Sequence, residues 1–288
     1  MMKRMCKGKL CIAIPASLVS DVPHLREKTL KVGLIGRTAA IFGVKEIIIY
    51  RDTPEIDQEA DVNLLTLLLN YMETPQYLRK KLFKLRPELR YAGILPPLRT
   101  PHHPLKDRLA DLEVGEYREG VTIARVSDGT LVDIGVEKPA LIRGVKLPLN
   151  KRVTVKIACV DKIAIADLAK SQEIPCYWGY KVRVWKNSFG KHIRDEPFDL
   201  KIATSKYGIP FTSINREIAE RWRKAEAVLV VFGAPTRGLY EIAKQEGLNL
   251  DEFVDFVVNT IPGQKTETVR TEEALLATLA IFNCCLNL

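Results

Sequence analysis

Residues 253–287, FVDFVVNTIPGQKTETVRTEEALLATLAIFNCCLN, restrict the fold more than any other part of this 288-residue chain. The run at 253–258 is apolar and β-branched, the composition of a buried strand. It stops at Asn259-Thr260-Ile261-Pro262-Gly263. Pro262 has no amide N–H and Gly263 tolerates positive φ, so the backbone turns here and its polar groups leave any sheet ladder without partners. A polar stretch, 264–270, leads to Thr271, which is expected to cap a helix, with Glu272 and Glu273 in a first turn that favours negative charge. Leu275, Leu276, Leu279 and Phe282 recur at helical spacing and give that helix a buried face. Strand, Pro-Gly turn, polar loop and capped helix make a cradle in which main-chain groups can read a flat ligand.

The rest of the chain supplies the sheet this cradle needs. Residues 9–16 read as a buried strand, 25–42 as a helix and 45–50 (KEIIIY) as a second strand, a β-α-β opening. Gly33 and Gly36 fall inside the helix, where they are expected to let a neighbouring segment approach closely. A dinucleotide site would want G-x-G-x-x-G directly after the first strand, so a nucleotide-dependent oxidoreductase is disfavoured. Helices follow at 60–72 and 75–83, the second carrying Arg79, Lys80 and Lys81, with Lys84 just beyond. Pro96, Pro97, Pro101 and Pro104 then break regular structure.

From about 113 to 168 five short β-branched runs are separated by turn signals, the strongest being Asp128-Gly129. This pattern predicts a small all-β barrel such as an OB fold, a module that binds single-stranded or irregular RNA. Tyr117 is the only ring in the segment, so contact to RNA backbone and shape is expected more than base stacking, and a mere packing module stays open. Near Ile174 the α/β texture resumes: PCYWGYKVRVW as a strand, 186–196 as an exposed loop, 200–204 as a strand, and 215–223 as a helix. A central strand at 227–232 (AVLVVF) ends in Gly233-Ala234-Pro235, and 239–246 is helical. The barrel, 96–173, therefore interrupts one α/β domain with halves at 1–95 and 174–288.

Charge and cysteines narrow the setting. The 44 Lys+Arg against 35 Asp+Glu leave a net +9, which suits a polyanionic partner such as nucleic acid, although solubility alone can also favour a basic chain. Six cysteines without a CxxC pair predict reduced, buried thiols and a cytoplasmic location. Basic residues at 3–9 before an apolar run resemble a signal peptide, but Pro15 interrupts the run and the strand reading accounts for it. No stretch reaches membrane-spanning length, so no membrane is expected. His102 and His103 are expected to point apart on an extended segment with no ligand-spaced Cys or His, so no metal is expected.

The letters carry more than the pattern. NTIPGQ followed by ETVRTEEA resembles the C-terminal signature of SPOUT-class RNA methyltransferases, and RTEEA resembles the RTETA of bacterial SPOUT enzymes that methylate N3 of a uridine in ribosomal RNA. GRTAAIFGVKEIII, TPQYLRKKLF, ELRYAGILPPL, YWGYKVRV, ATSKYG and LVVFGAP look like blocks of the archaeal and eukaryotic subgroup, which carries an OB-like insertion. The resemblance spans the whole chain. It implies an α/β knot domain with a C-terminal trefoil knot, S-adenosylmethionine as cofactor, a ribosomal RNA substrate and a homodimer. It also implies a cofactor pocket walled by Thr204, Phe232, Gly233 and Ala234 on one side and by Asn259, Thr260, Ile261, Pro262 and Gly263 on the other. Thr268, Arg270 and Thr271 would close that pocket. TSKYG stands where the subgroup often has TSERG, which leaves contacts from Lys206 and Tyr207 open. Arg37 would hold a phosphate or base oxygen of the acceptor and favour an anionic uridine N3, unless it serves a surface ion pair. Glu272 or Glu273 would accept a proton in a dimer-formed pocket, though helix capping explains both carboxylates as well. A non-catalytic RNA-binding or ribosome-assembly protein would share the basic charge and barrel but bind no cofactor.

Overall fold

The computed structural model describes residues 8–186 and 188–286; Cys6 and the basic residues at 3–7 lie outside them. The chain forms two compact units, one made of residues up to Asn70, Arg90–Pro96 and Tyr180 onward, the other of Tyr71–Leu89 and Pro97–Gly179. In chain order the first unit contributes β1 (Lys9–Pro15), α1 (Leu25–Ile41), β2 (Glu46–Tyr50) and α2 (Glu59–Glu73), whose last turn belongs to the second unit. The second contributes α3 (Gln76–Leu82), β3 (Tyr117–Val126), β4 (Gly129–Asp133), β5 (Ala140–Arg143), β6 (Arg152–Val160) and β7 (Ala164–Leu168). The first then resumes with β8 (Lys181–Val184), α4 (Phe189–Asp195), β9 (Leu200–Pro210) and α5 (Phe211–Lys224). It ends with β10 (Ala227–Val231), α6 (Leu239–Gln245), β11 (Phe256–Asn259) and α7 (Thr271–Leu286).

In the first unit six parallel strands lie in the order β11-β9-β10-β1-β2-β8. Cys11, Ala13, Ile48, Tyr50, Leu229 and Val231 pack against Phe189, Ile193, Leu239 and Ile242 of α4 and α6. The alternate residues Ile12, Ile14, Ile47, Ile49 and Val230 are equally buried, which is why these strands read as continuous apolar runs. Helix α7 packs on α1 and α5. Gly33 does meet a neighbour closely: a Cβ there would lie 2.9 Å from Pro96 Cδ.

One irregularity positions the site. Val257 pairs with Ala203 but the next residue, Val258, pairs with Ile209, so residues 204–208 of β9 bulge out unmatched by β11. Gly208 permits this, since a Cβ would stand 2.7 Å from Val257 O.

The second unit holds a closed five-stranded barrel, order β3-β4-β5-β7-β6, with β5 and β7 parallel and the other pairs antiparallel. Gly129 turns the β3–β4 hairpin, and Val132, Ile134, Ile142, Val155 and Ile157 fill the interior. Beside the barrel, Arg152 donates to both oxygens of Glu73, at 2.5 and 3.0 Å, and to Glu119 Oε2 at 2.6 Å. Thr154 Oγ1 and Trp178 Nε1 donate to the other Glu119 oxygen, each at 2.6 Å.

Four expectations fail here for physical reasons. The expected loop at 186–196 contains α4, whose Phe189 and Ile193 are buried; its N-terminal amides at Phe189 and Gly190 donate to the distant Glu246 carboxylate at 3.0 and 2.8 Å. The strand expected from Pro175 begins only at Lys181, because Gly179 turns the chain at φ +85. His102 and His103 do not point apart: their Nε2 atoms converge on Glu73 O at 3.0 and 2.8 Å. Among the described cysteines only Cys11 is buried, whereas Cys159, Cys284 and Cys285 are exposed. Among the described residues no three His, Cys, Asp or Glu side chains cluster as a metal site, and no helix is long and apolar enough to cross a membrane.

Candidate functional site

Three segments of the first unit, the β9 bulge and the loops at the carboxyl ends of β10 and β11, meet at the edge where open α/β sheets take ligands. The first is the β9 bulge, where Thr204 Oγ1 donates to Val231 O at 3.0 Å. The second follows β10. There Tyr50 OH donates to Phe232 O at 2.6 Å, and Ala234 N donates to Arg237 O at 2.9 Å, closing a tight turn. Arg237 anchors that turn through Thr53 and through Gln245 Oε1 at 2.8 Å, with the buried Asp52 carboxylate 3.5 Å away.

The third loop follows β11. Asn259 Oδ1 accepts from Ile261 N at 2.9 Å while its Nδ2 donates to Lys206 O at 2.9 Å, so one side chain shapes its own turn and holds the bulge. Thr271 Oγ1 donates to Gly233 O at 3.0 Å, tying the start of α7 to the second loop. This replaces the expected capping role of Thr271. It is the first helical residue, and Glu273 Oε2 instead accepts from Arg270 N at 2.9 Å, half of a capping box.

Thr204, Phe232, Gly233, Ala234, Asn259, Thr260, Ile261, Thr268 and Thr271 line this one cleft. Pro262, Gly263 and Arg270 adjoin it without forming its wall, Gly263 turning the loop at φ +76. The wall also includes Lys206, Tyr207, Arg237, Glu241, Gln264 and Thr278. Thr278 carried one readable signal, a hydroxyl on the apolar face of a helix; Arg237 and Glu241 carried none, since solvated charges look the same in sequence.

Arg37 and Glu272 lie outside the cleft wall. Arg37 is half-buried on α1, on the face that carries the exposed Leu30, Leu34 and Ile41. Glu272 is buried, its Oε2 3.6 Å from Lys31 Nζ, which also donates to both oxygens of Asp21 at 2.6 and 2.7 Å.

The cleft offers main-chain groups, threonine hydroxyls, one carboxylate and two cations, a donor set for a small zwitterionic ligand. The fold class is thus an α/β unit with a candidate ligand cleft together with a five-stranded β-barrel unit. The family described as "Putative RNA methyltransferase" matches residues 9–282, and the chain belongs to this family. The 28S rRNA (uridine-N(3))-methyltransferase of Mus musculus is 34% identical over 303 residues, covering 94% of this chain and 75% of that protein. The Homo sapiens protein of the same name is 33% identical, covering 94% and 77%. An uncharacterized protein of Halobacterium salinarum is 31% identical over 283 residues, covering 93% and 96%. The chain is thus an RNA methyltransferase, as its signature led one to expect, and its reaction requires a methyl donor.

Proposed function

We propose that this chain is an S-adenosylmethionine-dependent methyltransferase of the SPOUT class that modifies ribosomal RNA at N3 of a uridine. The convergence of the three loops on one cleft carries the reading. Its groups suit the donor: amides, carbonyls and hydroxyls for adenine and ribose, Glu241 for an ammonium, Lys206 and Arg237 for a carboxylate. The 28S rRNA (uridine-N(3))-methyltransferases among the relatives support the substrate and the acceptor atom.

The knot belongs to this proposal. Its support is that β11 lies at the sheet edge beside β9, after which α7 returns to pack on α1 and α5 with Thr271 bonded to the preceding loop. The barrel, which we assign to an insertion over 96–173, has the strand count and mixed closure of an OB-type module. A homodimer is supported by two packed helices that both present exposed leucines, Leu30 and Leu34 on α1 and Leu276 on α7. In that dimer Arg37, on the same α1 face, would serve the partner's cleft.

When bound, the donor would supply an electrophilic methyl carbon on a sulfonium; the uridine nitrogen, its proton released to solvent, would take the methyl group and the sulfonium would leave as a neutral thioether. Little covalent work falls to the protein, so positioning and charge stabilisation dominate. Arg37 would hold a base oxygen and favour the anionic acceptor. Glu272, beside Lys31 of α1, would act by fixing the helix that carries Arg37. Calorimetry with S-adenosylmethionine, followed by transfer of its labelled methyl group to an unmodified large-subunit rRNA transcript, tests the reading. Binding and transfer are expected; binding of RNA without any donor binding would mark an RNA-binding protein that is not an enzyme.

A further inference from the structure

Tyr207 places an aromatic ring, 72% exposed, at the rim of the donor cleft. A single exposed tyrosine is unremarkable on a protein surface. This one differs in how firmly its backbone is fixed. It sits on the β9 bulge, where Tyr207 N donates to Ser205 Oγ at 3.2 Å and the preceding carbonyl, Lys206 O, accepts from Asn259 Nδ2 at 2.9 Å. The following residue, Gly208, lies so close to β11 that no side chain fits there. The segment therefore lacks the freedom of an ordinary loop, while its ring has little covering it. Lys206 Nζ stands 5.2 Å from the ring centroid, which adds a positive charge beside the aromatic face.

We propose that Tyr207 is the platform on which the acceptor base of the RNA stacks beside the donor cleft. The inference rests on the proposed function and adds to it the residue that presents the base. A base methylated at a ring nitrogen must leave its stack, and unstacked RNA bases are held on aromatic side chains. Because every base offers a π-face, this contact would give affinity and placement rather than base identity. The ring matters and the hydroxyl does not.

The test uses the full chain, labelled S-adenosylmethionine and an unmodified large-subunit rRNA transcript. Tyr207→Ala is expected to raise KM for RNA about tenfold, the lower-middle range for loss of one stacked base. Its calorimetric Kd for S-adenosylmethionine, its mass in solution and the identity of the methylated nucleotide should not change. Tyr207→Phe and Tyr207→Trp should stay close to wild type. An unchanged KM for RNA in Tyr207→Ala, beside an active wild type, overturns the stacking role and leaves the functional reading standing. A weakened donor Kd makes Tyr207 a direct contact of the donor, and a changed mass makes it a subunit contact; either result overturns the inference. A wild type that transfers no methyl group refutes the functional reading first, and this inference with it.

Discussion

The hydroxyls of Thr260 and Thr278 meet 2.8 Å apart inside the first unit, joining the loop after β11 to the middle of α7. Both residues also line the cleft, so the bond fixes the distance between two of its walls. Thr260→Val or Thr278→Val keeps the shape but leaves the other hydroxyl buried without its partner. Each single change should cost about 1–3 kcal/mol of stability in urea unfolding and weaken donor binding. The double variant should lose less than the sum of the two. Strictly additive losses would show that the two hydroxyls do not act as a pair.

The second unit should lose stability as pH falls. Burial chiefly, and the neighbouring His102 next, hold the His103 pKa down from 6.5 to about 4. A histidine with a depressed pKa favours the native state in its neutral form, so its contribution is whole above pH 6.5 and is lost toward pH 4. Burial also pushes Glu73 up, but hydrogen bonds from His102 and Arg152 outweigh it and hold the carboxyl below 4.5. Its contribution is present above pH 4.5 and disappears as pH drops further. Urea titrations across this range should show the upper step flattened in His103→Gln and the lower step retained. A His103→Gln profile identical to wild type would contradict the assignment.

The basic residues on and just after helix α3 differ in their surroundings. Arg79 turns inward, donating to Thr74 O at 2.9 Å and Met72 O at 3.1 Å with its guanidinium 4.7 Å over Tyr71, and Lys81 pairs with Asp133. Lys80 and Lys84 are exposed. Lys80→Ala with Lys84→Ala should weaken RNA binding and lower the slope of log affinity against log salt by about 2. Arg79→Ala should lower stability and leave that slope in place; equal effects on the slope would remove α3 from the RNA contact.

The features legible in the sequence were those with local causes. The buried strands announced themselves because parallel strands covered on both faces are apolar throughout, and Asp128-Gly129 announced the first barrel hairpin through its turn chemistry. The loops after β10 and β11 could be placed because each begins where an apolar run meets Gly or Asn. What escaped depends on distant partners. α4 buries only two large apolar side chains, Phe189 and Ile193, and borrows Glu246 for its N-terminal amides. The convergence of His102 and His103 on Glu73 O is set by tertiary packing that no spacing encodes. Whether Thr271 caps its helix or reaches Gly233 O cannot be told from a Thr-Glu-Glu run, since both arrangements use the same letters.

Arg37 tests the chemical half of the proposal. Because it lies outside the cleft wall, Arg37→Ala should leave the affinity for S-adenosylmethionine nearly intact. Methyl transfer should fall by about 100-fold or more, the scale of losing one charge-stabilising donor. Single-turnover kinetics measures this directly, and unchanged turnover would remove Arg37 from the mechanism.

On the proposed function, this chain places a methyl group on N3 of a uridine in ribosomal RNA. Mass mapping of large-subunit rRNA from cells with and without the gene is the most direct measurement. One N3-methyluridine is expected in the first and missing from the second, restored by the wild-type gene and not by Arg37→Ala. Identical maps, or a lost methyl group on another base or on a ribose, would contradict it.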